Sequence, residues 1–149
     1  MALNVVHIHS PVSTLVTEPA FHISPGDTLA ATARLMRSEN VSAVLVGPGV
    51  TGIVTERDLT RALANGCSPQ ASVAEVRTPL PITVQAGTDI LEAASLMLNQ
   101  EVRHLVVELH DGSVGIVSLR TIAAVLLQAA QPQLWLSTLR VQLGIREPR

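Results

Sequence analysis

The sequence predicts a mixed α/β (α+β) fold: two tandem copies of one small unit, each strand, helix, strand, strand, helix, packed face to face about a pseudo-twofold axis. Three observations predict it. Gly52-Ile53-Val54-Thr55-Glu56-Arg57-Asp58 returns as Gly115-Ile116-Val117-Ser118-Leu119-Arg120-Thr121. Upstream, Gly26, Ala33, Leu35-Met36, Val41 and Val46 return as Gly87, Ala94, Leu96-Met97, Val102 and Val107. The offset is 61 residues from Val41 to Val102 and 63 from Gly52 to Gly115, so the loop Glu108 to Gly112 is two residues longer than its counterpart. A period of about 60 exceeds the roughly 20 to 50 residues of solenoid repeats. A unit of that size buries little alone, which is why the two must share a core.

Each element follows from local chemistry. Residues 1 to 15 are apolar and β-prone, and the alternation of Val5, His7 and His9 with Val6, Ile8 and Ser10 predicts a strand ended by Pro11. Phe21 to Ile23 is a short strand. Ser24-Pro25-Gly26 makes a turn, after which Asp27 or Thr28 caps a helix. That helix runs from Leu29 to Ser38, with Leu29, Ala33 and Met36 on one face and Asn40 as its end signal. The unbroken run Val41 to Val46 suits a strand buried on both faces. Gly47-Pro48-Gly49 turns it back into an antiparallel strand from Val50 to Val54. Thr55 caps a second helix, about Arg57 to Ala64, closed by Asn65-Gly66.

The second copy repeats the plan. A strand lies at Ile82 to Val84, Ala86 to Asp89 makes the turn and cap, and a helix covers Ile90 to Leu98. A strand spans Val102 to Glu108, His110-Asp111-Gly112 turns it, and Val114 to Val117 returns. The last helix covers Leu119 to Ala129. The resulting division is a first domain at 12–66, a linker at 67–79 with one helical turn near Val73 to Val76, a second domain at 80–129, and a C-terminal tail at 130–149. Leu134, Leu136, Leu139, Val141 and Leu143 make that tail an amphipathic helix, with Trp135 its large aromatic.

Composition excludes several function classes. The 149 residues are 47% apolar, yet contain one Phe, one Trp and no Tyr, so stacking of bases on aromatic platforms is not expected. A net charge of −2 with no basic run argues against binding long nucleic acids. Cys67 stands alone, so no internal disulfide forms and a reducing compartment is favoured. No apolar run approaches the roughly 20 residues of a membrane span, and the N-terminus lacks a signal-peptide pattern. The expectation is a cytoplasmic protein with no membrane association.

The ordered set, occurring twice, resembles the cystathionine β-synthase (CBS) domain. It consists of a strand, a Pro/Ala-Gly turn, a helix, Val-Ser-Ala or Val-Arg-His at a strand start, and Gly-Ile-Val-Thr/Ser-x-x-Asp opening a helix, the last position being Thr121 in the second copy. Two such domains in tandem look like a Bateman module, and the resemblance covers residues 12 to 129. The second copy, with Val102-Arg103-His104-Leu105-Val106-Val107, is especially similar to the nucleotide-sensing regulatory subunit of AMP-activated kinase.

The resemblance implies a regulatory module that holds an adenosine-containing ligand (AMP, ADP, ATP or S-adenosylmethionine) between the copies, with no catalytic cofactor, as a homodimer acting on a regulated partner protein. A helix N-terminus offers free N–H groups to a phosphate. Thr55 is placed to donate to that phosphate, Asp58 to accept from both ribose hydroxyls, and Arg57 to add charge. From the opposite copy, the family pattern implies Ile82, Thr83 and Val84 around the base, and Arg103 and His104 near the phosphates. A second, weaker site pairs Ser118 and Arg120 with Ile23, Val41, Ser42 and Ala43. Thr121 stands there in place of the family's Asp, and a hydroxyl cannot accept two ribose hydroxyls as a carboxylate does.

Two other readings belong to different classes. One is a ligand-independent module that dimerises; the other is a small metal-assisted enzyme using His7 and His9. Against each candidate role stands a plainer one: helix cap for Thr55 and Asp58, solvated charge for Arg103, exposed turn residues for His22 and His110, and inert thiol for Cys67.

Overall fold

The computed structural model describes residues 6–131. Within them the two expected units are present. The first comprises β1 (His22–Ile23), α1 (Leu29–Glu39), β2 (Ala43–Val46), β3 (Gly52–Thr55) and α2 (Glu56–Ala64). A short edge strand, β4 (Thr78–Pro79), adds to its sheet in the order β1-β2-β3-β4. The second comprises β5 (Thr83–Gln85), α3 (Ile90–Asn99), β6 (His104–Glu108), β7 (Val114–Ser118) and α4 (Leu119–Ala130), with sheet order β5-β6-β7. In both units the first strand runs parallel to the second and the hairpin is antiparallel. The C-terminal tail from Pro132, expected to be helical, lies outside the described residues.

The helix starts are set by the residues the sequence offers as caps. Thr28 accepts from Ala31 N–H at 3.1 Å and Asp89 from Leu91 N–H at 2.8 Å. Asn40 ends α1 in the left-handed region with φ 53°, where Asn is among the few residues tolerated. β2 is buried at all four positions, as its unbroken aliphatic run requires.

Three clusters form the interior. One fills the first unit around Ile23, Leu29, Met36, Val44, Val54 and Leu59. Another fills the second around Val84, Ile90, Met97, Leu105, Val117 and Ile122. The third joins them: Ala43, Leu45 and Ile53 of the first unit meet Val106 of the second. Successive residues on a strand face opposite sides, so β2 and β6 feed their own core and the shared one at once.

One sequence expectation is overturned. No strand forms at residues 6–10 among the described residues; a turn at residues 8–10 leads into a 3-10 helix at Val12–Leu15. The reason is tertiary. Val12 N–H donates to Thr88 O at 2.7 Å, and Ile90 N–H to Ser10 O at 3.1 Å, so the segment docks on the head of α3 in the second unit. Pro11 bridges Asp89, and His9 Nδ1 pairs with Asp89 Oδ2 at 2.8 Å. The same arrangement recurs 61 residues later, where Val73 N–H donates to Asp27 O at 2.9 Å and Leu29 N–H to Ala71 O at 3.0 Å. Each unit's lead-in segment thus packs on the other unit in the first case and on its predecessor in the second. The segment expected as a linker, 67–79, is consequently built into the first unit, with Cys67, Ala71, Val73 and Val76 packed against its core.

Candidate functional site

The head of α2 is the most elaborated polar feature of the module. β3 ends at Thr55, whose extended backbone lets its side chain turn back over the first helical turn. Thr55 Oγ1 accepts from Asp58 N–H at 3.2 Å; Asp58 Oδ2 accepts from Thr55 N–H at 2.9 Å and from Thr55 Oγ1–H at 3.0 Å. This is a reciprocal capping box. Asp58 is only 8% exposed, a burial rare for a carboxylate without partners. Its second oxygen, Oδ1, lies 3.8 Å from Arg61 Nη1.

Two residues from the strand starts complete the cluster. Ser42, just before β2, accepts Glu56 N–H on its carbonyl at 3.0 Å and so belongs to the helix head. Its hydroxyl reaches His104 Nε2 of the other unit at 2.8 Å. Burial pushes His104 below the ordinary imidazole range, the nearby Asp58 carboxylate pulls it back up, and Arg103 lowers it again. The cluster therefore combines a helix N-terminus, a buried carboxylate, two hydroxyls and an imidazole kept toward its neutral form.

The head of α4 carries the equivalent cap without the carboxylate. Ser118 Oγ accepts from Thr121 N–H at 3.2 Å and lies 3.0 Å from Thr121 Oγ1. No return bond to the Ser118 backbone forms there; the Thr121 hydroxyl meets the Ser118 hydroxyl instead. Arg103 anchors this head through its carbonyl, which accepts Leu119 N–H at 2.8 Å. A cavity of about 210 Å³ borders Arg120 and Thr121 together with Val6, Leu15, Ala124, Val125 and Gln128. None of Ile23, Val41, Ser42 and Ala43 lines it.

The structure sorts the sequence-predicted residues into three groups. Thr55 and Asp58 bond to each other, and the Asp58 carboxylate lies near His104 of the other unit. Ser42, expected at the second site, joins them instead. Ile23 and Val84, expected to line the two clefts, turn their side chains into the cores of their own units, and Ala43 joins the shared core. Ile82 and Val41 are half-buried against those cores, while Thr83, Arg57, Arg103 and Arg120 are exposed. The residue sequence reasoning missed is Arg61. Its spacing from Asp58, one helical turn, was the available signal.

The metal reading of His7 and His9 has a different geometry from the one expected. The two are not on a strand; His9 pairs with Asp89, and among the described residues no group of three His, Cys, Asp or Glu side chains is arranged to hold a metal.

Two small sheet-and-helix units sharing a core, each with its second helix opening on a hydroxyl cap, define a tandem two-domain α/β fold. The model of the CBS domain matches residues 12–65 and again 73–128, and the chain belongs to that family as a CBS pair. An uncharacterized 17.7 kDa protein of Acidianus ambivalens is 32% identical over 120 residues, spanning 78% of this chain and 73% of that protein. The CBS domain-containing protein YhcV of Bacillus subtilis is 32% identical over 117 residues, spanning 76% and 84%. Among solved structures, a CBS domain protein from Pyrobaculum aerophilum complexed with AMP superposes with a TM-score of 0.69 at 25% identity, covering 80% of this chain and 98% of that one.

Proposed function

We propose that this CBS pair is a regulatory module that binds an adenosine-containing ligand (AMP, ADP, ATP or S-adenosylmethionine) at the head of α2 and signals its occupancy to a partner protein. The observation that carries the reading is the asymmetry of the two helix heads. Only the head of α2 brings a buried carboxylate, two hydroxyls and an imidazole from the opposite unit to one place. Free N–H groups and the positive end of α2 suit a phosphate, and Asp58 Oδ1 retains lone pairs for a ribose hydroxyl. The AMP held by the similar Pyrobaculum protein supports the same ligand class.

The role is regulatory rather than catalytic, and the setting cytoplasmic. No helix among the described residues is long and apolar enough to cross a membrane. Exposed leucines on α2 and α4 support a homodimer. Titration calorimetry with AMP, ADP, ATP, S-adenosylmethionine and adenosine tests the reading: one strong site per chain is the expected result, and no heat with any of the five overturns it.

The ligand-independent module has one observation in its favour. Asp58 Oδ2 is already saturated by Thr55, which is what a purely structural cap requires.

A further inference from the structure

Ser42 and His104 do not occupy equivalent places in the two units. At the offset of 61 residues, Ser42 matches Arg103 and Ala43 matches His104. Their bond across the module therefore has no mirror image, because the position facing Arg103 holds only the methyl group of Ala43. Among the described residues it is the only side-chain hydrogen bond between the unit at 22–64 and the unit at 83–130. The same residue is fixed at its backbone, where the Ser42 carbonyl holds Glu56 N–H at the first turn of α2. Ser42 thus ties the ring of one unit to the helix head of the other.

We infer that Ser42 is a positioning residue for the ligand site: its hydroxyl fixes the ring plane and the tautomer of His104, leaving Nδ1–H as the donor offered to a ligand phosphate. A neutral imidazole has one donor and one acceptor, and the partner of one nitrogen decides the state of the other. A serine hydroxyl donating to Nε2 puts the proton on Nδ1, and among the described residues Nδ1 has no protein partner. Burial favours the neutral ring, so one nitrogen carries the proton and the other accepts. Without the hydroxyl, the ring is free to turn or to take the other tautomer, whose Nδ1 lone pair repels a phosphate.

The inference rests on the adenosine-ligand reading, and two measurements keep their failures apart. Nitrogen chemical shifts of the His104 ring in the ligand-free protein should show the Nδ1–H tautomer in the wild type, a mixture in Ser42→Ala, and recovery in Ser42→Thr. Calorimetry should then show AMP weakened about tenfold in Ser42→Ala while adenosine, which has no phosphate, changes little. An unchanged tautomer in Ser42→Ala, or equal losses for AMP and adenosine, overturns the role of Ser42. If wild type binds no adenosine compound, the ligand reading fails, and the ring shifts still decide whether Ser42 positions His104.

Discussion

Asp58 and Thr55 hold each other twice over: one carboxylate oxygen of Asp58 takes both the backbone N–H and the hydroxyl of Thr55, at 2.9 and 3.0 Å. A residue expected to serve a ligand is therefore also part of the scaffold. Removing it takes away the return half of the capping box and leaves the part-buried Thr55 N–H without that acceptor, while Thr55 Oγ1 still caps the N–H of residue 58. Asp58→Ala should cost about 1 to 2 kcal/mol of stability, read from urea midpoints. Asp58→Asn keeps one acceptor oxygen for Thr55 and should retain most of that stability while weakening an adenosine ligand. Asp58→Ala with an unchanged midpoint would show the box to be energetically empty.

Thr121→Asp supplies the carboxylate that the head of α4 lacks. It should complete the second box against the Ser118 backbone and add about 0.5 to 1 kcal/mol, which raises Tm by roughly 1 to 4 °C for a chain of this length. If the second cleft accepts a ligand, calorimetry should then show a second site. A lower Tm would mean that burying the new charge costs more than the cap returns.

Gly52 at the start of β3 and Gly115 within β7 face different neighbours. A Cβ on Gly52 meets the flexible stem of Arg77, whereas one on Gly115 meets the branched Val16. Arg77 is able to move aside, and Val16, stiff at its Cβ, is not. Gly115→Ala should cost about 1 to 3 kcal/mol and Gly52→Ala distinctly less. The reverse order in paired denaturation curves would contradict this.

Assembly rests on fewer residues than the sequence suggests. Of Leu59, Leu63, Ile122, Val125 and Leu126, three are buried within the chain, and only Leu63 and Leu126 are exposed, at 53% and 37%. If α2 and α4 form a dimer face, Leu63→Glu with Leu126→Glu should give a monomer by light scattering while the wild type stays dimeric. A wild type that is monomeric at micromolar concentration rejects the dimer.

Two titrations should appear in separate pH windows. Burial keeps His104 below its ordinary 6.5 in the fold, so the unfolded chain binds more protons there. Stability should fall as pH drops below 6.5, and His104→Gln should flatten that part of the curve. Asp89 is held below its ordinary 3.8, first by the bond from His9. Its contribution is present above 3.8 and is lost only as pH falls through the lower folded value. A His104→Gln variant with the wild-type slope between pH 7 and 5.5 would remove His104 as the cause.

The sequence by itself determined the duplicated plan, its helix caps and its hairpins. These depend on residues close along the chain, such as Thr28 before α1, Asn40 after it, and Gly47-Pro48-Gly49 between β2 and β3, and on a repeat that needs no third dimension to be read. It also marked Thr55 and Asp58, because a cap three residues before a carboxylate is a local signature. Only the tertiary structure decided where the lead-in segments go, replacing the expected N-terminal strand by a turn that leads into a 3-10 helix docked on α3 and building the expected linker into the first core. It alone took Ile23 and Val84 into their own cores and brought Ser42 to His104. The reason is physical: burial of apolar faces sets contacts between residues far apart along the chain, and which side of a strand meets which core depends on the packing of two sheets, not on the spacing of residues along one.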